Sequence, residues 1–325
     1  MPSFSCKVEE AITNELRLDR YIAEYLKILS RSQIKARKLE AKLNGKIVKV
    51  SRILQGGEQL ELSWEEAESI FLIPEKLDLD VIYEDARVIV VNKTQGMVVH
   101  PGAGNRQGTL ANALLYRSLA KKRSDGSCGN TCDFTDNQGG LRPGIVHRLD
   151  KDTSGVIIAA WDEEAHAFLA QQFKERKVRK SYAAIVQGCP KEKSGCIEKK
   201  IVRSRKDRKT FTVSETEGRP SVTYYKVVRS WKNYSLLLLR PKTGRTHQLR
   251  VHLKYLGYPI LGDPIYGQPD SRFKKATLML HAKSLAIVLP SELYDGSANP
   301  AEAGMKVFKT PLPERFHKII KNIRV

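Results

Sequence analysis

The chain has 325 residues, room for one large or two moderate domains, and its 41% hydrophobic content is enough for a buried core and too much for a disordered chain. Lysine and arginine exceed aspartate and glutamate by 56 to 36, a formal net charge of +20, so a polyanion is the expected partner. No apolar run approaches the roughly twenty residues of a membrane span, and the first residues, Met1 to Cys6, show no basic-then-apolar secretory pattern; nucleic acid therefore leads over a membrane surface.

Residues 17–62 read as a compact unit within an N-terminal domain of residues 1–76. Leu18 to Leu26 has helical spacing, with Leu18, Ile22, Tyr25 and Leu26 on one face. Ser30 and Ser32 offer caps for a second helix. In it Arg31, Lys35, Lys38 and Lys42 recur at steps of four, three and four, which predicts four cations on one helical face. Asn44-Gly45 is a turn signal leading into strands at Lys46–Val50 and Gln59–Leu62. From Arg31 to Arg52 there are eight cations and one carboxylate, Glu40. Such a run is commonly just a solvated face; its one-sided placement beside a hairpin favours contact with phosphates, Lys46 included. The segment is similar to the small RNA-binding module of ribosomal protein S-four, which implies binding of structured RNA through this helix and hairpin. It departs from that pattern at Lys38 to Lys42, where relatives often have a glycine.

Ser63 to Leu77 reads as a charged connector interrupted by Pro74, and a second domain is expected over 77–325. It begins with a hairpin, Val81–Asp85 and Val88–Asn92. Residues 121–140 are nearly devoid of apolar side chains and predict a mobile loop that either folds over bound RNA or idles at the surface. Beyond it, Ile145-Val146 runs into the polar turn His147-Arg148-Leu149-Asp150-Lys151-Asp152-Thr153-Ser154-Gly155, followed by the apolar run Val156 to Ala160. A turn between two buried runs can hold a polar side chain rigidly at the edge of a cleft. Further on, a basic run from Lys174 to Lys180 precedes Tyr182, Arg203 to Lys209 reads as an exposed basic hairpin, and the buried strand Leu236–Leu239 leads into Arg240 to Leu253.

The stretch HRLDKDTSG resembles the active-site signature of the RluA-type pseudouridine synthases. The resemblance covers roughly residues 17 to 290. It implies that Asp150 is the catalytic residue, with Asp152 as a competing carboxylate that more plausibly caps the turn. In that reaction the bond from uracil nitrogen to ribose breaks and ribose rejoins carbon 5. It is an isomerisation that one carboxylate can serve as nucleophile or base, with no cofactor. A reactive carboxylate beside phosphates has to stay ionised, which a nearby guanidinium favours. GRTHQLRVH is similar to the family motif whose last arginine fills that role, here Arg250, with Arg245 as alternative or as a phosphate contact. The Lys180-x-Tyr182 match implies a tyrosine that stacks on the target base. The signature's arginine, Arg148, is expected to occupy the space left by the extruded uridine. His147, Arg205 and Arg208 are expected among the RNA contacts. Asn92-Lys93-Thr94-Gln95-Gly96 lacks the proline that relatives have in this loop, a change expected to loosen it.

Five cysteines (Cys6, Cys128, Cys132, Cys189 and Cys196) form no disulfide framework or zinc pattern, and His247 and His252 lack a third ligand. Free thiols, no metal and a cytoplasmic location are expected. Gly102 to Gly108 fits neither nucleotide-loop spacing. The expected fold is α+β, a mixed and largely antiparallel sheet crossed by an RNA cleft, preceded by the small basic domain. The expected activity is uridine-to-pseudouridine conversion in RNA, with large-subunit ribosomal RNA or its assembly intermediate as substrate. Transfer RNA is the alternative substrate. Two other classes compete, a non-catalytic RNA-binding or assembly factor and a base-removing N-glycosidase. Retention of Asp150, Tyr182 and Arg250 speaks against the first. The second would leave an abasic site.

Overall fold

The computed structural model describes residues 2–9, 16–29, 31–65, 72–102, 104–125, 144–205, 207, 210–290 and 304–323; within these, the side chains of 32, 35, 36 and 122–125 lie outside the description. The chain divides into two compact units, Met1–Ile70 and Phe71–Val325.

The first unit holds a four-stranded antiparallel sheet. Its strands β1 (Ser3–Lys7), β2 (Glu40–Leu43), β3 (Lys46–Val48) and β4 (Gln59–Ser63) lie in the order β1-β4-β2-β3. Alternation in β2 and β4 turns Ala41, Leu43, Leu60 and Leu62 inward against Leu18, Ile22 and Leu54. The first helix differs from the expected one. It is α-helical over α1 (Leu18–Arg20) and then opens into a π turn, Tyr21–Tyr25, in which the Leu26 N–H reaches the Tyr21 carbonyl. The wider turn rotates Tyr25 to 61% exposure, off the apolar face where even spacing put it.

The four-cation helical face is also corrected. The helix α2 (Arg31–Ala36) stops before Lys38, which has φ 45°. A left-handed residue ends the helix here, where glycine would serve at least cost. Lys42 lies instead on β2, exposed, and Lys46 opens β3. Arg31 pairs with Asp19 at 3.0 Å and Lys38 with Glu65 at 2.8 Å. The backbone of Lys35 belongs to α2, but its side chain lies outside the described residues.

In the second unit, β5 (Val81–Glu84), β6 (Val88–Lys93), β7 (Ser154–Ala160), β8 (Arg179–Gln187), β9 (Ser194–Arg203), β10 (Phe211–Ser214), β11 (Arg219–Ser230), β12 (Tyr234–Pro241), β13 (Leu280–Ile287) and β14 (Lys306–Lys309) build one sheet. The order is β10-β9-β11-β12-β8-β13-β7-β6-β5, with β14 beside β13. Every pairing between these strands is antiparallel except β13 with β7, which is parallel through His281–Ser154 and Ala282–Gly155. This is the α+β, largely antiparallel architecture expected from the sequence. Helices α3 (Leu110–Asp125), α4 (Glu163–Lys174), α5 (Gln248–Tyr255) and α6 (Glu314–Ile323) complete the unit. Helix α3 takes in Lys121 to Asp125, which were expected in the loop; the rest of the expected loop lies outside the described residues. Lys121 donates to the Asp85 carbonyl and lies over the Trp161 ring, which anchors that end of the helix. Cys6, Cys189 and Cys196 are free thiols, and Cys128 and Cys132 lie outside the description. No described helix is long and apolar enough to cross a membrane.

Candidate active site

A cleft of about 520 Å³ opens where the parallel seam between β7 and β13 meets β8 and the start of α5. Its floor is the turn before β7. Two glycines let that turn lie against the sheet. Gly144 has φ 57°, and a Cβ there would sit 1.8 Å from the Ala160 carbonyl oxygen; Gly155 has φ 118°, and its Cβ would meet the Ala282 oxygen at 2.2 Å. Neither position tolerates a side chain. Between them the Thr153 N–H closes the turn onto the Asp150 carbonyl at 3.1 Å. The Asp150 side chain, 21% exposed, faces the cleft and is the only carboxylate among its described lining residues. The lining carries Arg148, Lys174, Arg176, Lys180, Lys242, Arg245 and Arg250 against that one acid.

Arg250 comes from α5, one hundred residues away. Its guanidinium is 3% exposed and places Nη1 3.5 Å from Asp150 Oδ2. Its firmer partner is Asp263, met by Nε at 2.8 Å and Nη2 at 2.7 Å. Asp263 also accepts the N–H groups of Ile265 and Tyr266, and the Tyr266 ring lies under the guanidinium at 5.0 Å. Burial alone would pull Arg250 down, but its hydrogen bonds to Asp263 and the charges of Asp263 and Asp150 carry it up. For Asp263, burial pushes upward and is outweighed by Arg250 and the two backbone donors, so it stays below the usual carboxylate range. The pair fixes one face of the guanidinium and leaves the other for Asp150.

The segment leading into α5 is wrapped by Gln248. Its Oε1 accepts from the Thr243 hydroxyl (2.7 Å) and the Arg245 N–H (3.0 Å), and its Nε2 donates to the Val222 carbonyl and the Thr223 hydroxyl. All four hydrogen-bonding positions of the amide are used. His247 caps α5 with φ 56°, places Nε2 3.9 Å from Asp150 Oδ2, and its Nδ1 is hydrogen-bonded to the Tyr266 hydroxyl at 2.8 Å. Burial keeps it below the ordinary histidine value despite Asp150 nearby.

Tyr182 on β8 lines the same cleft, as does Leu280 on the neighbouring strand β13. Burial, and next the Asp150 charge, push the Tyr182 hydroxyl well above the ordinary tyrosine value. Asp150, Tyr182 and Arg250, far apart in sequence, therefore share one cleft. Arg148 and Arg245 also line it; Arg148 is exposed, and Arg245 is half-buried with Nε on the Pro220 carbonyl. His147, expected among the RNA contacts, also lines the cleft and is half-buried. Its Nε2 accepts the Ile158 N–H at 3.1 Å, its ring stacks on Phe173 at 4.5 Å, and burial with nearby Lys180 lowers it to about 3. Arg205 is exposed on the β9–β10 hairpin and paired with Glu217 at 3.0 Å; Arg208 lies outside the described residues. His252 is buried against Thr223. Among the described residues no three His, Cys, Asp or Glu side chains gather closely enough to hold a metal ion.

The sequence reading missed Asp263, Gln248 and Lys93. Lys93 is 2% exposed, and its ammonium donates to the carbonyls of Thr94, Met97 and Lys151. Burial lowers it to about 8, with Asp150 and Asp152 working in the opposite direction. Gln95 donates to the carbonyls of Asp152 and Leu278. The loop without its proline is therefore tied to the turn that carries Asp150, against the expected loosening. Asp152 contributes its carbonyl to that tie.

A cationic cleft around one carboxylate that stands beside a fixed guanidinium, with a tyrosine in its wall, defines a site for a polyanion on which acid–base or nucleophilic chemistry is done. The family profile described as RNA pseudouridylate synthase matches residues 87–255. Ribosomal large subunit pseudouridine synthase D of Borreliella burgdorferi is 42% identical over 315 residues, covering 95% of this chain and 90% of the relative. The enzyme of the same name from Zymomonas mobilis is 44% identical over 255 residues, covering 78% and 75%. Among solved structures, human RNA pseudouridylate synthase domain containing 4 superposes with a TM-score of 0.56 at 26% identity, covering 75% of this chain and 92% of that one. The chain belongs to the RNA pseudouridine synthase family and is related to its large-subunit enzymes. It is an isomerase acting on RNA.

Proposed function

We propose that Asp150 is the catalytic carboxylate, Arg250 the cation that orients it, and Tyr182 the base-stacking and proton-bearing partner. The observation that carries this is the geometry around Asp150. One carboxylate faces a cleft otherwise lined by cations, within 3.5 Å of a guanidinium that is itself fixed on Asp263. A uridine turned out of its stack enters with its phosphates toward Arg148, Arg176 and Arg245 and its base against Tyr182. Asp150 then acts on the ribose as nucleophile or as base while the glycosidic bond breaks. The freed uracil stays against Tyr182, turns, and rejoins ribose through carbon 5; the carbon 5 proton passes to solvent and the uracil nitrogen released from ribose takes one up, so the net change is an isomerisation.

The substrate we propose is large-subunit ribosomal RNA or a particle assembling around it, by analogy with the named relatives. We propose further that residues 1–76 are an S-four-like RNA-binding domain, supported by Lys42 and Lys46 standing exposed on neighbouring strands.

The test is tritium release from RNA labelled at uracil carbon 5, wild type beside Asp150→Asn, on ribosomal and transfer RNA pools from cells lacking the enzyme. Wild type is expected to release tritium from the ribosomal pool without abasic sites. Asp150→Asn is expected to release none while still binding RNA. Turnover by Asp150→Asn comparable to wild type would overturn the assignment.

A further inference from the structure

Next to the cleft, across the segment Gly244-Arg245-Thr246, lies a second hollow of about 370 Å³. That is within the range of roughly 300–1,000 Å³ typical of small-ligand sites. It is bounded by the end of β9, the start of β10 and the start of β11, and the shared wall is the only strip separating it from the catalytic cleft. Its described lining contains Arg203, Arg219 and Arg245 and no aspartate or glutamate.

The hollow also holds an aromatic ring. Phe211 is half-buried, with the Arg203 guanidinium over its ring at 5.5 Å and the His247 ring meeting it edge-on at 5.7 Å. Burial, and then the like charges of Arg219 and Arg176, hold Arg245 below its ordinary value. Among the described lining residues no carboxylate offsets these cations. A phosphate would do so, but a phosphate alone gives no reason for an aromatic ring capped by a guanidinium. Planar bases stack on both kinds of surface.

We propose that this hollow receives the base of a nucleotide adjacent to the target uridine, stacked on the Arg203–Phe211 pair, with the linking phosphate held at Arg219 and Arg245. The proposal rests on the reading of the neighbouring cleft as the uridine site. Arg245 faces both spaces, so one phosphate crossing the Gly244–Thr246 rim connects the two nucleotides. The hollow is also wired to the chemistry. The Tyr266 hydroxyl accepts the Phe211 N–H at 2.9 Å and is hydrogen-bonded to His247 Nδ1 at 2.8 Å, while His247 stands 3.9 Å from Asp150. Occupancy of the subsite is thereby felt in turnover as well as in binding.

The experiment uses the full-length enzyme and a short RNA hairpin around a uridine first mapped by tritium release with wild type. Three versions are compared under single turnover: intact, abasic one position before the target, and abasic one position after it. Wild type is expected to lose about tenfold in kcat/KM on one abasic RNA, the scale of one lost stacked base. Phe211→Leu and Arg203→Gln are each expected to lose activity on the intact RNA and to lose little more on that abasic RNA. Equal wild-type rates on all three RNAs would overturn the proposal, as would variant and abasic losses that multiply independently. If Phe211→Leu fails to fold, Arg203→Gln on the strand edge decides. Failure of the underlying reading looks different, because wild type then releases no tritium from any RNA.

Discussion

Asp263→Asn separates the role of Asp263 from that of Asp150, the proposed catalytic carboxylate. Asp263 has no exposed side-chain surface, and it spends Oδ1 on Arg250 Nη2 and the N–H groups of Ile265 and Tyr266, and Oδ2 on Arg250 Nε. Asparagine can keep the first oxygen and its three donors. Its NH₂ then faces the Arg250 Nε–H, donor against donor, and the guanidinium loses its buried counter-charge. Removing one partner of a buried pair costs about 3–5 kcal/mol. For a unit of this size each kcal/mol moves Tm by roughly 2–4 °C, so a fall of about 10 °C is expected by differential scanning calorimetry.

Turnover should also fall, because a guanidinium no longer fixed on Asp263 stops orienting Asp150 across the 3.5 Å contact. Loss of one preorganised, charge-assisted contact corresponds to about 100-fold in kcat, with KM little changed. The double variant Arg250→Met with Asp263→Leu should recover most of the lost stability, since an apolar pair can replace a buried ionic one, and should stay inactive. An Asp263→Asn enzyme with unchanged Tm and wild-type tritium release would refute the argument that Arg250 is held by Asp263.

His252 and His281 are both buried and pushed down to about 4, by burial in each case, with Arg315 adding to it at His281. Because each folded value lies below the unfolded one near 6.5, the unfolded chain binds more protons on acidification. Stability is therefore fully present above about pH 6.5 and lost as pH falls toward 4, by about 3 kcal/mol for each histidine. A thermal-melting series from pH 8 to 4 checks this, and a Tm independent of pH across that window counts against it. In the N-terminal unit, Lys42→Ala and Lys46→Ala should each reduce the slope of log affinity against log salt by about 1, and Arg31→Ala by less, because Arg31 already has Asp19. Equal slopes for wild type and Lys42→Ala, measured by filter binding, would remove that strand from the RNA surface.

The legible parts of this protein are those where chemistry is written in consecutive residues. The turn from His147 to Gly155 and the run from Gly244 to His252 each announced a site, and the largely antiparallel sheet was implied by the family resemblance those stretches carry. The N-terminal helix was misread because spacing alone is blind to hydrogen-bond register. Arg31, Lys35, Lys38 and Lys42 fit a helical face as numbers, but Lys38 at φ 45° breaks the helix and sends Lys42 onto a strand. Asp263 was invisible for another reason. In Leu261-Gly262-Asp263-Pro264 an aspartate is what any turn would carry, and nothing local says that it faces Arg250. Lys93 at a strand end reads as a solvated charge, and only the tertiary structure brings three carbonyls around its ammonium.

These hidden residues share one physical task. A basic cleft draws in phosphates, and a carboxylate within it has to keep its position as those charges arrive. Direct pairing with a mobile surface cation would leave Asp150 free to swing. Here the cations behind it are immobilised instead. Arg250 is pinned by Asp263, Lys93 by three carbonyls, and Arg315 of α6 by the Ser154 hydroxyl at 2.6 Å and the Leu280 carbonyl at 3.2 Å. Burial pulls Lys93 to about 8 and Arg315 to about 10, the cost of holding charge away from water. Ser154 begins β7 four residues after Asp150, and Leu280 begins β13 and lines the cleft. Helix α6 thus ties the two strands of the parallel seam together next to the turn that carries Asp150. A site that looks like one aspartate in the sequence is, in the fold, an aspartate backed by three immobilised cations drawn from three separate stretches of the chain.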